Sequence, residues 1–147
     1  MRVLFVYFFL VVVALIAVAQ APSGPIPSSG RGVVANQTDA SWKHGAMDKP
    51  GMESNALRED PVSGAFDVFS RYPAGYVFPT HWHSANERIV VIEGRMQVES
   101  NGKDKFLDQG GFAFLPAREV QKMSCVSKTR CVLYMSWDAA YDSHKAP

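Results

Sequence analysis

The sequence predicts an all-β domain, either a sandwich or a barrel of short strands. From Phe66 onward, short apolar or alternating runs are separated by turn residues, and no helical periodicity appears beyond the first segment. The pair Asn101–Gly102, which lies between two such runs, is a strong signal for a type I′ hairpin. Many short strands joined by turns are typical of all-β folds.

The strands are assigned from their runs of apolar or alternating residues. In chain order they are predicted at residues 66–72, 88–92, 96–99, 105–107, 112–115, 120–126 and 131–137. Pro116 ends the strand that precedes it, because proline cannot donate to the hydrogen bonds of a sheet. The last two strands are expected to form a hairpin around Ser127–Thr129.

Length and charge limit the choice of function. A chain of 147 residues with a formal net charge of +1 fits one ordinary globular domain. No basic stripe or acidic tail appears, so nucleic acid is not an expected partner. Phosphate-binding loops, GxSxG elbows, HExxH helices and dinucleotide fingerprints are also absent from the sequence. Nucleotide-dependent and serine-hydrolase chemistry are therefore not favoured.

The first segment has the layout of a signal peptide. Arg2 gives a positive start, and the apolar run Val3–Val18 is shorter than the ~20 residues of a membrane span. We expect a signal peptide at residues 1–19, a flexible leader at 20–40, the barrel at 41–140 and a C-terminal tail at 141–147. The mature protein is then secreted or periplasmic, with no stable membrane span. The alternative is an uncleaved anchor.

Two histidines and a glutamate form a candidate metal site. His81 and His83 are two residues apart on a predicted strand, so their side chains leave the same face. Glu87 follows after a spacing that lets the chain turn and bring its carboxylate back toward them. Two imidazoles and one carboxylate can hold a divalent ion and leave its other positions open. An incidental His-x-His pair is the alternative.

The surrounding residues strengthen this interpretation. From Gly75 to Gly94 the chain reads glycine, five residues, His-x-His, three residues, glutamate, six residues and glycine. This spacing resembles the first motif of the cupins, and the chain looks like a small, single-domain, RmlC-like cupin of the exported bacterial type. The resemblance implies a jelly-roll barrel and one divalent metal ion, such as Fe, Mn, Ni, Cu or Zn. It also implies that His81, His83 and Glu87 are the metal ligands.

The second cupin motif departs from the family pattern. Gly110 and Pro116 match its opening, but Arg118 replaces the usual glycine and Gln121 stands where cupins usually carry a third histidine ligand. Gln121 is therefore a weak fourth ligand, a hydrogen-bond partner of a metal-bound water or substrate, or the mark of a degraded site. We favour the second interpretation.

Strand parity predicts what surrounds Gln121. Met123 and Cys125 share its face, and Cys131 and Met135 lie on the matching face of the next strand. The two cysteines are then close neighbours, and in an exported protein they are expected to form a disulfide. A reactive thiol or sulfur ligation of the metal is the alternative. Pocket lining is expected from the following residues: Phe78, Met123 and Met135.

Two functions from different classes fit this sequence. The first is a metal-dependent enzyme, dioxygenase-like or of another Lewis-acid type such as an isomerase or decarboxylase, acting on a small, oxygen-rich, chelating substrate. The second is a non-catalytic module that binds a small molecule or sugar over a degraded metal site. The cupin fold does not decide between them, because it hosts many activities. A small-molecule ligand is expected in both cases, and a homodimer is a further expectation.

Overall fold

A computed structural model describes residues 32–44 and 51–146 of the chain. The expected signal peptide and the first part of the expected leader lie outside these residues. The described residues form one short 3-10 helix, Gln37–Asp39, and ten strands. The strands are β1 (Glu53–Glu59), β2 (Phe66–Tyr72), β3 (Val77–Trp82), β4 (Glu87–Glu93), β5 (Met96–Ser100), β6 (Lys103–Leu107), β7 (Phe112–Leu115), β8 (Gln121–Cys125), β9 (Cys131–Trp137) and β10 (His144–Lys145).

The strands form two antiparallel five-stranded sheets, which confirms the all-β prediction. One sheet has the order β1-β2-β9-β4-β7, and the other has the order β10-β3-β8-β5-β6. Apart from the pairs β1–β2 and β5–β6, neighbours within each sheet are not consecutive in the chain, as in a jelly roll. The predicted strands are present with bounds close to those expected. Strand β1 has no counterpart among them, because its residues are mostly polar and only Ser54 is buried.

Alternation along the strands builds the interior. In β4 the buried side chains are Glu87, Ile89 and Val91, and the residues between them are partly exposed. In β8 the buried residues are likewise every second one, from Gln121 to Cys125. The inward faces of both sheets therefore meet in one apolar core. Its largest fully buried apolar side chains include Trp137, Tyr72, Phe78, Ile89, Met96, Met123, Leu133 and Met135.

Two turns show why particular residues stand where they do. Asn101 and Gly102 have φ values of 50° and 68°, the left-handed pair that a type I′ turn requires, and they join β5 to β6 as expected. Gly94 has a φ of 86°, and a Cβ there would lie 2.8 Å from the Arg130 carbonyl oxygen. Only glycine fits this position without displacing backbone, which accounts for the last glycine of the motif.

The expected hairpin around Ser127–Thr129 is wrong. Strand β8 pairs with β3 and β5, whereas β9 pairs with β2 and β4 in the other sheet. The connection therefore crosses between the sheets instead of turning within one. Cys125 and Cys131, at its two ends, are joined by a disulfide with their Cα atoms 5.8 Å apart. This bond therefore links the two sheets.

The C-terminal residues fold back onto the barrel. Strand β10 pairs with β3, with His144 opposite Trp82 and Lys145 opposite His81. Residues 141–146, expected as a tail, thus include an edge strand of the second sheet. Within the described residues, no helix is long and apolar enough to cross a membrane.

Candidate metal centre

The structure brings the three predicted ligands together inside the barrel. His81 comes from β3, His83 from the residue after it, and Glu87 from the first position of β4. Their candidate ligand atoms all lie within 4.8 Å of one another. The two imidazole Nε2 atoms are 3.1 Å apart, and His83 Nε2 lies 3.5 Å from a carboxylate oxygen of Glu87. All three residues are at most 3% exposed.

The outer nitrogen of each imidazole is tied to a backbone carbonyl. His81 Nδ1 donates to the Pro79 carbonyl over 2.8 Å, and His83 Nδ1 donates to the carbonyl of Asp142. A carbonyl oxygen only accepts, so both Nδ1 atoms carry the proton. In the neutral imidazoles both Nε2 atoms then present lone pairs to the centre of the site. This orientation is the one that metal-binding histidines use.

Glu87 is buried beside the two imidazoles. Burial raises the pKa of its carboxyl group to about 8, and a hydrogen bond from the Gln121 amide only partly offsets this effect. Gln121 Nε2 donates to Glu87 Oε2 over 2.6 Å, while Glu87 Oε1 has no partner within the described part of the chain. Burial also lowers the pKa of His83, and its bond to Asp142 opposes the shift.

These donors fit a divalent metal ion. Two Nε2 lone pairs that face each other at 3.1 Å repel unless a cation lies beside them. The free Glu87 Oε1 is a further electron-pair donor at the same place. A buried carboxylate without a positive partner is costly, and a cation here would remove that cost. Two nitrogens and one carboxylate oxygen suit Fe, Mn, Ni, Cu or Zn better than Ca²⁺ or Mg²⁺.

Comparison with known proteins places the chain in a family. Residues 30–139 match the model of the family described as the ChrR Cupin-like domain. The chain belongs to this family. The sequence resemblance to cupins is thereby confirmed. None of the curated proteins matches the chain at a significant level.

Solved structures show the same fold at low sequence identity. The cupin domain of Schizosaccharomyces pombe Cnp3 is 14% identical, with a TM-score of 0.65 over 74% of this chain and 75% of that one. KdgF from Halomonas sp. is 18% identical, with a TM-score of 0.60 over 74% and 94% of the two chains. Salicylate 1,2-dioxygenase from Pseudoaminobacter salicylatoxidans, solved as adducts with gentisate, is 22% identical, with a TM-score of 0.53 over 61% and 25%.

Gln121, which stands where the cupin resemblance predicts a third histidine, lies beside His81 and Glu87. Its amide nitrogen lies 3.4 Å from His81 Nε2 as well as bonding to Glu87, and it is 2% exposed. Its own carbonyl oxygen is without a partner among the described residues. Gln121 thus lies in direct contact with the predicted ligands. In this arrangement it orients the carboxylate of Glu87 through a hydrogen bond.

The predicted pocket-lining residues are all core residues. Phe78 pairs with Met123 across β3 and β8, and its ring lies 4.3 Å from the His81 ring. Met135 accepts a weak hydrogen bond from the Tyr72 hydroxyl, with 3.6 Å between oxygen and sulfur. All three side chains are 1% exposed or less.

Aromatic residues that the sequence analysis did not single out complete the site. Trp137 lies opposite Glu87 in the register of β4 and β9, and its ring is 5.5 Å from that of His83. Tyr141 packs on both, with ring distances of 4.8 Å to Trp137 and 5.5 Å to His83. Tyr72 is fully buried, and burial together with the charge of Glu87 raises the pKa of its hydroxyl well above the usual value. Strand parity could have found Trp137 and Tyr72, since both lie on inward faces.

The loop that carries His83 is held from two sides. The backbone and side-chain N–H groups of Asn86 donate to the two carboxylate oxygens of Asp138, over 3.1 Å and 2.6 Å. The side-chain carbonyl oxygen of Asn86 accepts from the backbone N–H of Ala117 over 2.9 Å. On the other side, the backbone N–H of Arg118 donates to the His83 carbonyl over 2.8 Å. Arg118 has a φ of 66°, a backbone conformation that glycine adopts more readily than residues with a side chain.

Proposed function

We propose that this cupin domain is a metal-dependent enzyme that acts on a small, oxygen-rich, chelating substrate. The observation that carries the proposal is the convergence of two imidazole lone pairs and a free carboxylate oxygen in a buried space. His81, His83 and Glu87 are proposed as the metal ligands. A bound divalent ion supplies Lewis-acid chemistry or, as Fe(II), oxygen chemistry.

The charge of the site favours an anionic or enolised substrate. Two neutral imidazoles and one carboxylate cancel only one of the two charges of a divalent ion. Gln121 engages Glu87, and this bond holds the carboxylate in place. Glu87 is therefore proposed as a ligand and not as the general base.

Other side chains of the interior supply contacts for the substrate. The indole N–H of Trp137 is buried and has no acceptor within the described residues. A metal ion cannot satisfy this donor, because an N–H needs an electron-pair acceptor. An oxygen atom of a bound substrate would satisfy it.

We propose that the substrate enters through a recess beside this aromatic group. The recess has a volume of about 360 Å³, enough for a small organic molecule. Tyr141 lines it and also packs on His83 and Trp137, so this side chain lies between the recess and the proposed metal site. It is lined by Ala56, Glu59, Gly64, Phe66, Ala140 and Tyr141.

The donors of the site and its similarity to known cupins suggest the type of reaction. One similar structure is a dioxygenase with gentisate adducts, and another is a DMSP lyase. Gentisate is an oxygen-rich chelator, which agrees with the charge and the donors described above. Oxygenation of an enolised or phenolic substrate is the first activity to assay. Binding of a small molecule without turnover is the second candidate, favoured by the glutamine at the third-histidine position.

Metal content tests the proposal directly. The purified chain, carrying no histidine tag, is expected to hold near one equivalent of a transition metal by elemental analysis after reconstitution. His81→Ala removes one of the converging lone pairs and is expected to lose that metal. His44→Ala is the matched control, because His44 bonds to the Met52 carbonyl away from the site.

Two results would contradict the proposal. If the wild-type chain takes up no metal after reconstitution, the site does not hold one and binding without a metal is the better function. If His81→Ala keeps the same metal content as wild type, the metal lies elsewhere. The metal found would also narrow the reaction, since Fe points to oxygen chemistry. Secretion or periplasmic location and pairing into a homodimer stay predictions.

A further inference from the structure

The two proposed histidine ligands differ in what holds them. His81 donates its outer N–H to Pro79, two residues away on its own strand. His83 donates to the carbonyl of Asp142, which lies 59 residues further along the chain. The tautomer of His83 therefore depends on the C-terminal segment, whereas that of His81 does not.

The carbonyl of Asp142 is itself fixed by the Asp142 side chain. One carboxylate oxygen accepts from the backbone N–H of Ser84 over 2.8 Å. The other lies 2.9 Å from His144 Nε2. The Asp142 side chain therefore bonds to two segments. One is the backbone of Ser84, the residue after His83, and the other is His144 of β10.

The segment at residues 138–146, here called the C-terminal strap, is anchored at several further points. The His144 ring stacks on Trp82, with 4.0 Å between ring centroids and 16° between planes. The backbone N–H of Ala146 donates to the Thr80 carbonyl over 3.2 Å. At the other end, Tyr141 packs on the His83 ring. The strap therefore follows the strand and the loop that carry both histidines.

We propose that Asp142 is a positioning residue of the metal site, and that docking of the C-terminal strap and metal binding stabilise each other. This inference rests on the proposed function. Asp142 keeps the proton on Nδ1 of His83, so that Nε2 presents its lone pair to the ion. When the side-chain bonds of Asp142 are lost, the imidazole of His83 can rotate or change tautomer, and the ion loses a nitrogen donor. Loss of such an outer partner typically weakens metal binding about 10- to 100-fold.

Binding of Co(II) tests this inference without an activity assay. Affinity is measured by competition with a chelator, and the visible absorption of Co(II) reports the ligand set. Asp142→Ala removes both side-chain bonds, and about tenfold weaker binding is expected, at the lower end of the range because the backbone carbonyl remains. Asp142→Asn is expected to bind close to wild type, since its amide oxygen still accepts from Ser84. Lys145→Ala is the matched control within the strap, because its side chain is exposed.

A second measurement separates positioning from general loss of stability. Proton–nitrogen correlation spectra of the histidine rings, recorded without metal, report the tautomer of His83. Wild type is expected to show the Nδ1-protonated form alone, and Asp142→Ala a mixture, while the His81 signals stay unchanged. The unfolding temperature of each metal-free variant shows whether the fold is intact.

The outcomes distinguish this inference from the proposed function. Equal Co(II) affinity of wild type and Asp142→Ala, with unchanged His83 signals, overturns the role of Asp142 and leaves the metal site standing. Absence of Co(II) binding in wild type overturns the proposed function instead. In that case the ring spectra still decide whether Asp142 sets the tautomer of His83.

Discussion

At the scale of single residues, Gln121 shows how a neutral side chain can stand in a ligand position. A third imidazole would add a strong donor to the site, and an amide is a weaker one. In the structure the amide nitrogen of Gln121 faces Glu87 and His81, and it donates to the carboxylate. We infer that Gln121 lowers metal affinity relative to a histidine but keeps the carboxylate aligned.

Exchange of Gln121 tests this inference. Gln121→His introduces the residue that the cupin resemblance predicts at this position, and it is expected to tighten Co(II) binding about tenfold or more, since it adds a nitrogen donor. Gln121→Met, similar in length but unable to donate to Glu87, is expected to weaken binding. Both are measured by chelator competition. Unchanged affinity in Gln121→His would mean that this position does not face the metal.

At the scale of elements, one polar cluster ties together three strands of the first sheet. Asp67 of β2 accepts from Arg58 of β1 over 2.6 Å and from the Tyr134 hydroxyl of β9 over 2.8 Å. Burial by itself would raise the pKa of Asp67, but hydrogen bonds from Arg58, Tyr134 and Ser136 outweigh it and hold the pKa below the usual value. The ionised carboxylate therefore stabilises the fold.

The stabilisation by Asp67 should depend on pH. Because its pKa is lower in the folded chain, its contribution is complete above the unfolded pKa of about 4 and is lost as the pH falls through the folded value. Asp67→Asn is expected to lower the free energy of unfolding by about 1 kcal/mol at pH 7, a modest value because solvent screens the partly exposed Arg58. Urea unfolding at pH 7 and pH 3 checks this. If wild type and Asp67→Asn differ in unfolding free energy by the same amount at both pH values, the ionised Asp67 carboxylate is not the source of the stabilisation.

At the scale of the whole molecule, the disulfide joins the two sheets where strands β8 and β9, within the described residues, do not pair with each other. Cys125 ends β8 and Cys131 begins β9, and the two strands have no register with each other. The bond closes a loop with a sequence separation of only 6. Its effect on the unfolded chain is therefore modest, below the ~3 kcal/mol of a 15-residue loop, and the bond also links the two sheets locally.

Replacement of both cysteines tests this expectation. The double variant Cys125→Ser with Cys131→Ser is expected to lose about 2 kcal/mol of unfolding free energy, the entropy of so short a loop. Chemical denaturation measures the loss, and wild type with a reductant should show a similar one. A much larger loss of unfolding free energy would mean that the disulfide also stabilises parts of the barrel outside this loop.

Much of the fold and part of the site were predictable from local patterns. Alternating residues gave the strands, because side chains in a strand alternate between faces. Asn101–Gly102 gave its turn, because both residues tolerate positive φ. The prediction of a hairpin around Ser127–Thr129 was wrong. A short connection of this length can either form a turn within one sheet or cross from one sheet to the other. Local sequence does not distinguish the two.

The sequence by itself determined the all-β class, the cupin resemblance and the spacing of His81, His83 and Glu87, because these depend on strand periodicity and on residues close in the chain. Only the tertiary structure decided what surrounds them. The bond from His83 to Asp142 and the packing of Trp137 against His83 join residues more than fifty positions apart. Such contacts depend on how the two sheets and the C-terminal strap pack against each other. Patterns among neighbouring residues carry no information about that packing.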